Sequence, residues 1–206
     1  MYSSFLPYRP LPRMLAALLA AGLLSMGVLR DARAQETNAL SGPLPVVPHL
    51  DLLRYGGLWH EIARLPNSFQ RKCVEDVTAE YQPRPEGGVS VVNRCRQLDG
   101  SLEEARGVAR RVPPRDGEAD DAGRLEVRFA PAWMAWLPAV WGDYSVLALD
   151  DEYSISLVGT ADRNYLWLLA RRPSLPDTEV AAWLARAAAL GFDTSRVIRS
   201  APIAGS

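Results

Sequence analysis

Histidine and cysteine are nearly missing from this chain, with two of each in 206 residues. His49 and His60 are too few and too far apart for a His-rich zinc site, which takes several closely placed ligands. A Ser-His-Asp triad would have to use one of them, and neither lies near a nucleophile elbow. A P-loop and a glycine-rich dinucleotide fingerprint are both absent. Charge of one sign is lacking too: 23 basic residues face 24 acidic ones, for a formal net charge of -1. A nucleic-acid surface leaves a basic footprint, and there is none. No internal repeat or low-complexity tract is visible. The sequence therefore calls for no cofactor, no metal and no nucleic-acid partner.

One long apolar run is present, at the start. Arg9 and Arg13 precede it, Met14 to Leu29 form it, and Ala32-Arg33-Ala34 follows as an A-x-A cleavage site. Residues 1–34 read as a secretory signal peptide. The alternative is a membrane anchor, but the run falls short of the ~20 residues that a spanning helix takes. No cysteine stands at the cleavage point, so the expected product is not lipid-anchored and resides in the periplasm or outside the cell. Removing Arg9, Arg13, Arg30 and Arg33 leaves a mildly acidic domain. An exported protein meets an oxidising compartment, so Cys73 and Cys95 are expected to pair. Two unpaired buried thiols are the alternative.

Residues 35–49, rich in proline and small polar residues, read as an extended arm. Leu50 to Tyr55 fits a short helical turn. Strand signals then recur at short spacing. Gly57 to Arg64 opens the series, followed by Val77–Tyr81, Val89–Cys95, Leu102–Ala109, Leu125–Phe129, Tyr144–Leu149, Ile155–Thr160 and Tyr165–Ala170. Eight strands are the number that closes a small barrel around one ligand. Val180, Trp183, Leu184, Ala187 and Leu190 recur at helical spacing, with Ser174 or Asp177 as N-cap and Gly191 as the stop. The expected fold is all-β, an eight-stranded antiparallel up-and-down barrel with this C-terminal helix packed outside. The domain spans residues 50–200, with 201–206 as a tail.

The run Gly57-Leu58-Trp59-His60-Glu61-Ile62-Ala63-Arg64-Leu65-Pro66 carries more. Alternation puts Trp59, Glu61 and Ala63 on one face, and His60, Ile62 and Arg64 on the other. A glutamate on the tryptophan's face suits a cavity better than a dry core. The G-x-W opening, the segment through Asn67-Ser68-Phe69, the later Gly142-Asp143-Tyr144 and the stretch Tyr165 to Arg171 together resemble the three signatures of the lipocalins. The likeness is greatest to their bacterial outer-membrane branch and its animal relative apolipoprotein D. It covers roughly residues 50–200. Two departures stand out: Gly142 replaces the threonine of the second signature, and His60 stands where tyrosine is usual.

The resemblance implies that Gly57, Trp59, Asp143, Tyr144 and Arg171 are structural, with Arg171 lying across Trp59 at the closed end. Together with alternation it places Ala63, Tyr81, Asn93, Phe129 and Trp167 inward as ligand-binding candidates, with Trp141 added from the loop. The Asn93 amide needs a hydrogen-bond partner, either a ligand head group or a neighbouring strand. The uncharged segment Pro131 to Trp141 holds Trp133, Trp136 and Trp141, too few residues to span a bilayer. Exposed, it would mark a membrane or partner surface; folded back, it would be a flap over its own barrel mouth. The resemblance implies a non-enzymatic carrier of a small hydrophobic ligand, a fatty acid or lysophospholipid, in the bacterial envelope. It would associate with the outer membrane and act in membrane maintenance under stress, as a monomer or homodimer. The rival readings are a lipid-modifying enzyme using Cys73 or Glu61, and an envelope interaction module that uses the Trp-rich loop.

Overall fold

The computed structural model describes residues 44–113 and 122–201. The leader, most of the arm and the tail after residue 201 lie outside the described residues. Nine strands form one antiparallel sheet: β1 (Gly57–Arg64), β2 (Cys73–Pro83), β3 (Val89–Gln97), β4 (Leu102–Arg111), β5 (Arg124–Arg128), β6 (Gly142–Leu149), β7 (Ile155–Gly159), β8 (Leu166–Ala170) and β9 (Ile198–Arg199). Each strand from β2 to β8 pairs with the next, and β1 pairs with both β8 and β2, which closes an eight-stranded barrel. Closure covers most strand edges, although residues 102–107 of β4 pair with β3 alone. The two-residue β9, which alternation did not signal, adds to β1 opposite Ala63 and Arg64. Ala201 then bridges to Glu75 of β2.

A short helix, α1 (Leu52–Tyr55), caps the base, with the Asp51 carboxylate accepting from the amides of Leu53 and Arg54. Residues 46–47 lie beside the barrel, with Val47 N–H donating to the Val146 carbonyl at 2.9 Å. The second helix, α2 (Asp177–Ala189), buries Val180, Trp183 and Ala187. Pro176 occupies the N-cap position, and no side chain caps this helix, neither Ser174 nor Asp177. Asp177 and Glu179 instead sit in the first turn, where the helix dipole favours negative charge. Gly191 adopts a φ of 88° and ends the helix, a conformation that costs a residue without Cβ little.

Two apolar clusters result. One fills the lower barrel and includes Tyr55, Trp59, Ala79, Tyr81, Val91, Leu125, Val146, Val158 and Leu169. The other lies outside the wall beneath α2, with Ile62, Ala63, Leu157, Leu168, Ala170, Trp183 and Phe192. Successive residues of β8 divide between them, Leu168 outward and Leu169 inward, as the pleat requires.

Strand β1 departs from strict alternation. Its register against β8 runs Glu61 opposite Leu169, then Ala63 opposite Leu168, with a bulge between. One extra residue, Ile62, reverses the phase of everything after it. Ala63 therefore turns outward into the cluster under α2 and does not face the lumen as alternation alone suggested. Arg64, expected outside, comes opposite Trp167 on the inner face.

Candidate functional site

Because adjacent strands are antiparallel, both ends of the barrel can be assigned. At the closed end, Gly57 starts β1 with a φ of 88°. A Cβ there would approach Arg171 Nη1 at 3.3 Å. Trp59 is fully buried, and its Nε1 donates to the Tyr55 carbonyl at 2.8 Å. The Arg171 guanidinium lies over the indole, 3.9 Å from the ring centroid. It also donates to the carbonyls of Leu58, Arg54, Tyr55, Gly56 and Tyr153. Burial lowers the Arg171 pKa from its ordinary value. Asp143 is not part of this plug: it sits at the start of β6, at the far end from the Tyr153 turn, where its carboxylate accepts from Ser145 Oγ and from the Ala161 amide of the β7–β8 turn.

Above this plug, four hydroxyls form a chain inside the barrel. Ser156 Oγ meets Tyr55 Oη at 3.0 Å, Tyr55 Oη meets Tyr144 Oη at 3.2 Å, and Tyr144 Oη meets Tyr81 Oη at 2.8 Å. Desolvation pushes all three phenols above their ordinary pKa, so they stay neutral and act as donors and acceptors to one another. This polar floor was not legible from spacing, since Tyr55, Tyr81, Tyr144 and Ser156 come from four separate elements.

The other end is open. Asn93 lies opposite Ala79 and Ala105 on neighbouring strands, on the inner face and half-buried. Gly107 follows the same face opposite Val91. Any Cβ on Gly107 would come within 2.8 Å of the Phe129 ring, so glycine here lets that ring lie against the wall. Phe129 is 43% exposed, a rim residue and not a core one. Trp167 faces in and stacks on Tyr165, with ring centroids 6.0 Å apart. Phe69, from the loop between β1 and β2, leans on both rings.

A polar cluster missed by spacing ties that loop down. Glu61 Oε1 accepts from Arg64 Nη1 at 2.6 Å and from Ser200 Oγ at 2.6 Å. Glu61 Oε2 accepts from Gln70 Nε2 at 2.7 Å. Gln70 Oε1 in turn accepts from Trp167 Nε1 at 2.9 Å and from Asn67 Nδ2 at 2.6 Å. Glu61 and Arg64 are both buried. The one signal in the sequence was a glutamate on the tryptophan's face.

Trp141, a ligand candidate at the sequence level, lies outside the lumen. Arg110 stands 3.9 Å and Arg128 5.2 Å from its ring. Arg110 pairs with Glu126, and both sit on the outer face, since their neighbours Ala109 and Val127 face in. The indole N–H donates to the Ala135 carbonyl. Trp141 thus anchors the base of its loop to the outer wall, while Trp133 and Trp136 stay 74% and 77% exposed. Cys73 and Cys95 form a disulfide near the open end, with Cα atoms 5.4 Å apart. Cys73 is therefore no free nucleophile. Among the described residues no cluster of three or more His, Cys, Asp or Glu is placed to hold a metal.

The comparisons agree with this geometry. The profile of the Lipocalin-like domain matches residues 50–202. The outer membrane lipoprotein Blc of Escherichia coli strain K12 is 37% identical over 166 residues, 78% of this chain and 86% of that protein. Apolipoprotein D of Macaca fascicularis is 30% identical, over 66% of this chain and 68% of its own. Insecticyanin from the tobacco hornworm Manduca sexta superposes with a TM-score of 0.59 at 22% identity, covering 78% of this chain and 85% of that one. A closed eight-stranded barrel, a tryptophan plugged by an arginine at one end and an open mouth at the other accompany that match, and the chain belongs to the lipocalin family.

Proposed function

We propose that the protein carries a single-chain amphiphile, a fatty acid or lysophospholipid, in the bacterial cell envelope, and that it performs no chemistry on it. The observation that supports this most is the asymmetry of the barrel. One end is sealed by Trp59 and Arg171, while at the other the inward-facing Asn93, Gly107, Phe129 and Trp167 keep accessible surface. An acyl chain entering there meets apolar walls from Ala79, Val91, Val127 and Leu169. Each methylene taken out of water contributes about 0.8 kcal/mol. Tyr81 marks the depth limit of the chain, and Asn93 offers a hydrogen bond along the way. Storage or transfer of membrane lipid under stress is the role we assign, in the periplasm or at the outer membrane.

A second observation supports contact with a membrane. Trp133 and Trp136, together with Phe69, Leu98 and Leu102, form an exposed apolar rim around the mouth. Arg71 and Lys72 are exposed beside Phe69, and basic groups favour an anionic lipid surface. Such a rim would let a lipid pass from bilayer to barrel without crossing water.

Lipids extracted from protein purified from its native envelope, identified by mass spectrometry, are expected to include a single-chain amphiphile. Delipidated protein should take up lysophospholipid in a fluorescence titration. Empty extracts together with no uptake would overturn the carrier reading. Loss of vesicle flotation in the W133S/W136S double variant, with lysophospholipid uptake retained, supports the rim as the membrane contact. Equal flotation of both proteins refutes that contact.

A further inference from the structure

The Glu61–Arg64 pair is an expensive object to place just inside a barrel mouth. Arg64 is only 7% exposed, and one end of its guanidinium, Nη1, is committed to Glu61. Its Nε is buried and has no hydrogen-bond partner among the described residues. A buried donor without an acceptor is rare in folded proteins and costs stability. The Nε–Nη2 edge of a guanidinium is also the edge that takes two oxygens of a carboxylate or phosphate side by side. Glu61 therefore holds the opposite end and leaves Nε, one half of this edge, without an acceptor.

Position fits as well as chemistry. The bulge at Ile62 turns Arg64 onto the inner face, opposite Trp167. That face is where the head of an amphiphile would lie if its tail reached down past Asn93. The β1–β2 loop is tied to the same pair: Gln70 is bonded to the Glu61 carboxylate and to Trp167.

We infer that Arg64 is the head-group receptor of the barrel, binding the oxyanion of a single-chain amphiphile through its Nε–Nη2 edge while Glu61 positions it. The inference rests on the carrier reading above and deepens it. Glu61 and Arg64 nearly cancel in charge, so recognition depends on the forked geometry and not on net attraction. Lysine at this position would keep the ion pair and lose the fork.

The test compares oleate, oleoyl lysophosphatidate and oleyl alcohol, which share a chain and differ in head group, on delipidated wild type and R64K. Wild type is expected to bind at least one of the two oxyanion lipids about ten- to hundredfold more tightly than the alcohol, the range of a charge-assisted hydrogen bond. Oleate against lysophosphatidate tells carboxylate from phosphate. R64K is expected to collapse the preference to within about threefold. An unchanged preference in R64K overturns the assignment of Arg64 while leaving the carrier reading intact. Failure of wild type to bind any of the three overturns both. A second measurement does not depend on the variant folding: the Arg64 Nε–H resonance of wild type should shift with the preferred oxyanion and stay in place with the alcohol. An unmoved resonance at saturation refutes the contact.

Discussion

Replacing Arg171 tests the closed end of the barrel most directly. Alanine here removes the cation from the face of Trp59, 3.9 Å away, and takes the Arg171 donor from five backbone carbonyls, those of Arg54, Tyr55, Gly56, Leu58 and Tyr153, of which Tyr55 keeps the Trp59 indole N–H. Stacking on a fully buried indole is worth about 1–2 kcal/mol. A hydrogen bond to a charged donor contributes about 1.5–3 kcal/mol in isolation, but water can reach several of these carbonyls in the variant, so they recover part of the loss. The expected cost is about 3 kcal/mol for R171A. Lysine keeps the charge but not the planar fork that reaches several carbonyls at once, so R171K should cost about half as much. In urea, with the disulfide intact and a slope of about 2 kcal/mol per molar, the midpoint should fall by about 1.5 M for alanine and about 0.7 M for lysine. Near-ultraviolet circular dichroism of Trp59 should weaken in parallel. A midpoint for R171A within roughly 0.3 M of wild type would refute the idea that this arginine locks the plug, and R171K as damaging as R171A would refute the share given to its charge.

Three further outcomes are expected. Mutating both cysteines to serine should cost about 3 kcal/mol on the chain-entropy account of a loop this long, since Cys73 and Cys95 stand 22 residues apart. The urea midpoint of reduced wild type should match that of the double variant. Tyr144 Oη joins two other phenols whereas Tyr81 Oη joins one, so Y144F should destabilise more than Y81F, by about 1–3 kcal/mol against about 1; thermal unfolding that ranks them the other way counts against the hydroxyl chain. Desolvation lowers the His60 pKa below its ordinary 6.5, with Asp76 opposing. The folded state then resists protonation more than the unfolded chain does, so this contribution is complete above pH 6.5 and is lost as pH falls through the folded value. H60Q should flatten the pH dependence of the urea midpoint in that window.

The elements that obey simple periodicity could be read in advance. Eight strands, the outer helix and the pairing of Trp59 with Arg171 all follow from alternation, helical spacing and the three signature stretches. Ala63 and Arg64 exchanged faces because alternation assumes an unbroken ladder, and neither glycine nor proline announces the bulge at Ile62. Trp141 could not be placed because a loop of uncharged residues carries no period; its position depends on Arg110 and Arg128, which come from β4 and the end of β5. Strand β9 escaped notice because two residues are too few to alternate. The Tyr55, Tyr81, Tyr144 and Ser156 chain depends on four elements meeting in space, which no local pattern records.

The bulge at Ile62 gives β1 one residue more than its ladder against β8 uses. Upstream of it the chain is in one frame, with Trp59 and Glu61 inward; downstream it is in the other, with Arg64 inward and Ala63 under the helix. Conservative substitution at Ile62 would leave both frames standing. Deleting that single residue would remove the bulge and leave Ala63 opposite Leu168 and Arg64 opposite Trp167, at the cost of the Ile62 side chain in the layer beneath α2. At this point the first strand can therefore lose one position without turning Arg64 away from the mouth.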